Sequence, residues 1–181
     1  MIDFTLLEEQ LKSASLFLLC SPHNPTGRVW TDEEMKNMVS LCKKYNVKML
    51  SDEIHMDVVL GNHPHIPLLS YLNEYDQLYL LSSASKTFNI PGLLGSYCVL
   101  PNKEVREAFV HYTRKVDFLN STSLPGLIGT MVSYTQCDDY VDQLNLYIKK
   151  NMEFVKEFLE ENLPDFKFQI PDATYLAWID I

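Results

Sequence analysis

The stretch LFLLCSPHNPTGRVWTDEEMKNMVSLCKKYNVKML, residues 16–50, sets out a strand, a helix and a second strand. Its first five residues are an uninterrupted apolar run, which is typical of a strand buried on both faces, and a polar loop follows them. Thr31 stands three positions before Glu34, and this capping-box pattern predicts a helix start. Apolar side chains at three- and four-residue steps continue the helix, and residues 47–50 predict the next strand.

Outside that stretch the same alternation continues. Residues 77–81 and 96–100 predict two further strands, and a second helix is expected between the strands at 47–50 and 77–81. Alternating strands and helices imply right-handed crossovers. The sequence therefore predicts an α/β fold with a mostly parallel sheet that is covered on both faces.

After Pro101 the chain becomes mainly helical. We expect a helix that ends near Phe118, a second helical stretch after Pro125 and a long amphipathic helix at 138–162. Two short strands, at 166–170 and 174–179, are predicted to close the sequence.

The composition describes an ordinary globular chain and argues against two classes of partner. The 181 residues include 15 Lys and Arg against 24 Asp and Glu, a net charge of −9, and 46% are hydrophobic. The acidic balance argues against nucleic-acid binding, and no apolar run approaches the ~20 residues that span a bilayer. The acidic start lacks the features of a secretory signal, and four scattered cysteines are typical of reduced thiols, so we expect a cytoplasmic protein.

Polar side chains follow three of the predicted strands at their carboxyl ends, where open α/β sheets bind ligands. The loops are NPTG, SDEIHMD and SSASKTFNIPG, and their candidate residues are Asn24, Asp52, His55, Ser83, Ser85 and Lys86. Each motif alone is more often structural, as a turn, a helix cap or a surface lysine. Together they match the needs of pyridoxal phosphate, which are a lysine for its aldehyde, a carboxylate for its pyridine nitrogen and a donor for its ring oxygen. Serine hydroxyls could bind its phosphate.

In their order and approximate spacing, these motifs resemble the fold-type I pyridoxal-phosphate enzymes of aminotransferase class I/II, and the resemblance covers essentially all of the chain. It implies a three-layer, PLP-dependent transferase-like fold. The implied parts are a portion of the cofactor-binding large domain at 1–119, connecting helices at 120–162 and the truncated start of a small α+β domain at 163–181. The resemblance also implies a small amino-acid substrate and a homodimer.

The resemblance further implies a role for each matching residue. Lys86 would form the Schiff base and move the substrate proton, and Asp52 would hold the pyridine nitrogen. Asn24 would bond the ring oxygen, and Ser83, with Ser85 beside it, would bind the phosphate.

Within the family, the segments PHNPTGRVWT, SDEIHMD and SKTFNIPGLLGSY are most similar to the MalY/PatB-type cystathionine β-lyases, which cleave carbon–sulfur bonds. Two departures from the aminotransferases favour this subgroup. His55, a predicted cofactor contact, stands where they have a tyrosine, and Leu94 stands where they have a phosphate-binding arginine. The expected reaction is a β-elimination that gives pyruvate, ammonia and a thiol. An aminotransferase and an inactive binding or regulatory module stay open as alternatives.

The chain is much shorter than members of that family, and we expect it to be the middle of a longer enzyme. The family's substrate-carboxylate arginine has no match, since neither Arg106 nor Arg114 stands in that motif. No metal site is expected, because the candidate ligands follow no recognised spacing. Those candidates are His55, Asp57, His63 and His65.

Overall fold

The computed structural model of the chain describes residues 2–119 and 122–181. The helices are α1 (Phe4–Leu11), α2 (Asp32–Lys44), α3 (Lys103–His111), α4 (Leu124–Gln136) and α5 (Asp138–Asn162). The strands are β1 (Leu16–Cys20), β2 (Lys48–Asp52), β3 (Leu78–Ser82), β4 (Tyr97–Val99), β5 (Lys167–Phe168) and β6 (Ile179–Asp180).

The main sheet has the order β1-β2-β3-β4, with the first three strands parallel and β4 antiparallel to β3. This arrangement confirms the predicted mostly parallel sheet, and α2 makes the crossover from β1 to β2. In the register of the sheet, Cys20 lies beside Asp52, and Asp52 lies beside Leu81. The three parallel strands therefore end together at one edge.

The prediction of a helix between β2 and β3 is wrong. Residues 53–77 form loops and turns, with a 3-10 turn at Leu68–Tyr71. Pro64 and Pro67 lack a backbone N–H and disfavour a helix. The buried carboxylate of Glu53 accepts the N–H of Leu68 (2.8 Å), so a side chain satisfies the backbone there instead.

The core beside β1 to β3 is formed by the predicted apolar face of α2. Met35, Met38 and Cys42 are fully buried, together with Met49 of β2. Burial raises the pKa of the Cys42 thiol to about 12, so it stays protonated and packs as a small apolar group. The expected capping box at Thr31 is confirmed, because its hydroxyl accepts the N–H of the third helical residue and that residue's carboxylate accepts the N–H of Thr31.

The helices after β4 follow the prediction closely. Asn102 caps α3 by accepting the N–H of Val105 (3.1 Å), and a π-helical turn extends the helix to Val116. The bounds of α5 agree with the predicted long helix, and its Ile148 and Met152 pack on Val58 and Leu60 from the loop after β2. Within the part of the chain that the structure describes, no helix is long and apolar enough to cross a membrane.

The last two predicted strands are present as the short antiparallel pair β5 and β6. The second is displaced towards the carboxyl end because residues 173–174 bond elsewhere. The N–H of Ala173 donates to Gly27 O (2.8 Å), and that of Thr174 donates to Val58 O (2.9 Å). The domain boundary expected at 119/120 adjoins residues outside the described ranges, and the division into 1–119, 120–162 and 163–181 stays a prediction.

Candidate functional site

The three predicted loops lie together at the carboxyl edge of the parallel strands. Asn24 follows β1 by four residues, His55 follows β2 by three, and Lys86 follows β3 by four. Backbone bonds continue the sheet past the strand ends, since Ser21 N–H donates to Asp52 O (3.0 Å) and Glu53 N–H donates to Leu81 O (2.8 Å). The starts of the loops are thus fixed by the sheet itself.

Asp52 lines a cavity of about 440 Å³ together with Ser83, Tyr97 and Cys98. Its Oδ1 accepts the N–H of Ile54 (3.2 Å). Among the described residues, the structure gives the carboxylate no other hydrogen bond. The backbone therefore holds one carboxylate oxygen, and the other has no partner in the described chain.

His55 is close enough to the charged residues Asp52 and Lys86 for both to affect its pKa. Its side chain is buried, and its ring meets Tyr175 edge to face at a centroid distance of 5.5 Å. Burial lowers the pKa of the imidazole, the nearby Lys86 ammonium lowers it further, and Asp52 opposes both effects. His55 is therefore held in the neutral form, within electrostatic reach of both Lys86 and Asp52. Its Nδ1 is buried without a hydrogen-bond partner in the described chain.

The loop that carries Lys86 is folded by bonds within itself. The buried hydroxyl of Ser83 donates to Gly95 O and accepts the N–H of Ser85 (3.0 Å). The N–H of Phe88 donates to Ala84 O (3.0 Å) and that of Ile90 donates to Ser85 O (3.2 Å). These turns leave the Lys86 side chain exposed.

Lys86 opens into a second cavity, of about 390 Å³, which Tyr140, Tyr147 and Tyr175 line. A third cavity, of about 630 Å³, shares Ser83 with the Asp52 cavity and Ser85 with the Lys86 cavity. We call these three cavities, each of which is lined by residues of the lysine loop, the groove. Asp52, Ser83, Ser85 and Lys86 line the groove, whereas the buried His55 lines none of its three cavities.

Asn24 is exposed at the same edge, and its backbone N–H donates to Cys20 Sγ (3.4 Å). Its loop is held by Gly27, whose φ of +67° is a conformation that side chains rarely adopt. A Cβ at Gly27 would overlap Pro171 and the carbonyl of Ala173, so glycine lets the carboxyl-terminal segment pack directly on the NPTG loop.

Two of the residues considered as metal ligands, His65 and Asp57, form hydrogen bonds with other side chains. His65 Nε2 bonds Glu53 Oε2 (2.9 Å), and Asp57 Oδ2 accepts a bond from Thr87 (2.9 Å). Residues 2–119 and 122–181 contain no group of three or more His, Cys, Asp or Glu placed to hold a metal ion.

Sequence reasoning missed the side chains that support the lysine loop from behind. Tyr134 of α4 meets Phe88 edge to face at 5.4 Å and reaches Asp57 Oδ2 (3.5 Å). Burial is the main cause of the raised pKa of Tyr134, and bonding to Tyr97 and the charge of Asp57 add to it. Asp57 stands in SDEIHMD and was considered only as a candidate metal ligand, whereas nothing in the local sequence marks Tyr134.

The chain matches the family model described as Aminotransferase class I and II over residues 1–181. It is 40% identical to Protein MalY of Escherichia coli over 92% of this chain and 42% of that protein. It is 37% identical to cystathionine beta-lyase PatB of Bacillus subtilis over 99% of this chain and 47% of that protein. The chain thus spans about half the length of these curated relatives.

Solved structures give the same result for the fold. A PLP-bound putative aminotransferase from Clostridium difficile aligns at a TM-score of 0.95 with 36% identity, covering 99% of this chain and 46% of that one. The PLP-bound C-S lyase from Staphylococcus hominis aligns at 0.91 with 32% identity, covering 99% of this chain and 45% of that one. These alignments confirm the predicted fold class.

Proposed function

Because the chain belongs to the aminotransferase class I and II family, we propose that its protein is a pyridoxal-phosphate enzyme that cleaves carbon–sulfur bonds by β-elimination. The observation that carries the proposal is that Asp52, His55 and Lys86 lie at or just after the ends of neighbouring parallel strands, at the carboxyl edge of the sheet. The named activities of relatives support it, since PatB is a cystathionine beta-lyase and the Staphylococcus hominis protein is a C-S lyase.

The residues at this edge of the sheet fit the cofactor on three counts. Asp52 has a carboxylate oxygen with no hydrogen-bond partner among the described residues, which leaves that oxygen to accept from a protonated pyridine nitrogen. The buried Nδ1 of His55 has no partner among the described residues, and such an atom is usually satisfied by a ligand or by water. The Asp52 cavity, at about 440 Å³, lies in the size range of small-molecule sites.

When bound, pyridoxal phosphate supplies an aldehyde carbon and an electron-withdrawing ring. Asp52 would accept a hydrogen bond from the ring nitrogen and keep that nitrogen protonated. Lys86 Nζ would hold the aldehyde carbon, and its free amine would be the base that takes the proton from the substrate Cα. The exposed side-chain amide of Asn24 would donate to the ring oxygen.

The phosphate contacts are proposed for Ser83 and Ser85. The Ser83 hydroxyl already donates to Gly95 O, so contact with a phosphate requires it to give up that bond. Leu94, which takes the place of an arginine, is 71% exposed and offers no charge to the phosphate. Neutral donors of the loop would therefore carry this part of the binding.

The experiment supplies L-cystathionine to the protein at its full natural length, without any keto acid, and measures pyruvate. Pyruvate formation that disappears in Lys86→Ala supports the lyase. Amino transfer that requires an added keto acid would instead identify an aminotransferase, the second candidate, in keeping with the family description. No turnover and no binding of pyridoxal phosphate would contradict both and favour a non-catalytic module.

We further propose that the protein is a cytoplasmic homodimer with a small amino-acid substrate. Exposed apolar side chains on α3 and α4, such as Phe109 and Ile128, support association with a second subunit. The four free cysteines support a reducing compartment. Analytical ultracentrifugation of the full-length protein and cell fractionation test the two statements separately.

A further inference from the structure

Asp57 connects the lysine loop to two helices. Its Oδ2 accepts a hydrogen bond from Thr87 Oγ1 (2.9 Å) and a longer one from the hydroxyl of Tyr134 (3.5 Å) in α4. Its main-chain oxygen accepts a bond from the Asn145 side-chain amide (2.9 Å) in α5. One residue therefore contacts the loop, α4 and α5 at the same time.

Thr87 is the inward-facing neighbour of Lys86. It is 1% exposed, whereas Lys86 is exposed to solvent. Because water does not reach the Thr87 hydroxyl, the Asp57 carboxylate is the partner that satisfies it, and bonds to a charged acceptor are stronger than neutral ones. While the Thr87 hydroxyl is held inward, the adjacent Lys86 stays exposed on the surface of the turn and lines the groove.

The next residue of the loop is held by the same two helices. Phe88 meets Tyr134 of α4 edge to face at 5.4 Å and stacks on Tyr140 of α5 at 5.8 Å. The polar bond at Thr87 and the aromatic packing at Phe88 therefore act on adjacent residues and from the same side.

We propose that Asp57 is a positioning residue that fixes the turn carrying Lys86 by binding Thr87, with Tyr134 and Asn145 fixing Asp57 in turn. Asp57 acts through Thr87 and touches neither cofactor nor substrate. The proposal rests on the proposed function, because it assigns Asp57 a purpose only if Lys86 is the reacting lysine.

The first test measures hydrogen exchange of the loop amides in the cofactor-free protein at full length. The amides of Phe88 and Ile90 donate within the loop and report its geometry. Thr87→Val, which removes the hydroxyl at constant shape, should speed their exchange about tenfold or more. Thr87→Ser, which keeps the hydroxyl, should exchange like the wild type.

The matched control is Thr135→Val, which removes an exposed hydroxyl that bonds Met131 O (2.7 Å) within α4. It should leave the loop amides unchanged. In a double-mutant cycle, Thr87→Val should add little to the effect of Asp57→Ala, because both substitutions remove the same hydrogen bond between Thr87 and Asp57. Unchanged loop exchange in Thr87→Val, or loss of protection spread equally over β2 and β3, would overturn the proposal.

The second test separates this proposal from the proposed function. The holoenzyme of Thr87→Val should keep its KM within a few fold, while kcat falls by about tenfold or more because Lys86 is misplaced. Accelerated loop exchange with no cofactor attached to wild-type Lys86 would leave the Asp57–Thr87 connection intact and refute the function. Normal attachment with unchanged exchange and kcat in Thr87→Val would refute the positioning role alone.

Discussion

The sheet region and the helical region of α3 and α4 bury their apolar residues to very different degrees. Leu78 of β3 and Met35 of α2 are fully buried, whereas Leu127 and Ile128 of α4 are about half exposed and α3 has no buried residue. The face of the sheet that packs on α2 is therefore buried by the described chain's own side chains, although Leu16 and Leu18 of β1 are 50% and 64% exposed. The apolar faces of α3 and α4 are surfaces suited to packing against a further protein surface.

The candidate site lies where these two regions meet. Asp52 and His55 are placed by the sheet, while the lysine loop closes against α4, where Gly126 admits the backbone of Leu93 and Leu94. Asp52 and His55 are therefore fixed by the well-packed region. The orientation of Lys86 depends on the region whose packing is less complete.

Replacement of Lys86 should reduce pyruvate formation more than any other change described here, without affecting folding. Lys86→Ala should lower pyruvate formation by at least roughly 10²- to 10⁴-fold, the usual contribution of a positioned acid–base group. Because Lys86 is exposed, the midpoint of urea unfolding of the cofactor-free protein should stay unchanged. Steady-state kinetics with the cofactor and a urea titration without it check both statements, and a large change in the stability of the cofactor-free protein would show that Lys86 is structural.

A pair of leucine truncations measures the contrast in packing directly. Leu78→Ala should lower the free energy of unfolding by about 2–5 kcal/mol, since it leaves a cavity in the core. Leu127→Ala, at a side chain that is 51% exposed, should change it by less than about 0.5 kcal/mol. Urea denaturation gives both values. Equal losses at the two positions would mean that α4 is covered as fully as the sheet.

Two helix caps give a smaller and more local comparison. Thr31→Ala removes the capping box of α2, and Ser123→Ala removes the hydroxyl that accepts the N–H of Gly126 (3.0 Å) at the start of α4. Each should cost about 0.5–2 kcal/mol. The Ser123 hydroxyl also donates to Leu93 O, so only Ser123→Ala should speed exchange in the lysine loop. Thermal unfolding with hydrogen exchange separates the two results.

The smallest expected effect is a pH dependence from His55. Its pKa is lowered in the folded state, so between that value and the ordinary one near 6.5 the unfolded chain binds more protons. Above pH 6.5 the titration of His55 does not lower the free energy of unfolding. As the pH falls from 6.5 to the lowered pKa of folded His55, the free energy of unfolding decreases. His55→Gln should therefore lose less stability than the wild type on acidification. Urea titrations at several pH values check this, and identical pH profiles would contradict it.

Much of the fold could be predicted because its signals are local. The apolar run at Leu16–Cys20, the capping box at Thr31 and the period of Asp138–Asn162 each define an element within one short segment. The helix expected within residues 53–77 rested only on the alternation of strands and helices, and no local helical signal supported it. The prolines and the Glu53 carboxylate instead stabilise turns.

The position of the candidate residues could be predicted from the sequence, but the hydrogen bonds that support them could not. Asp52 ends a strand and Asn24, His55 and Lys86 follow strand ends, so the parallel topology alone places the four residues at one edge of the sheet. The bond from Thr87 to Asp57 spans 30 positions and that from Tyr134 to Asp57 spans 77, so no local pattern could indicate either. Nor could the sequence show that the Ser83 hydroxyl is already bonded within its loop.

We propose that Lys86 is the residue that holds pyridoxal phosphate. To test this role, the cofactor is added to the full-length protein, the mixture is reduced with borohydride and the labelled peptide is mapped by mass spectrometry. We expect a pyridoxyl group on Lys86 that is absent in Lys86→Ala. Stoichiometric labelling of a different lysine, or none at all under saturating cofactor, would contradict it.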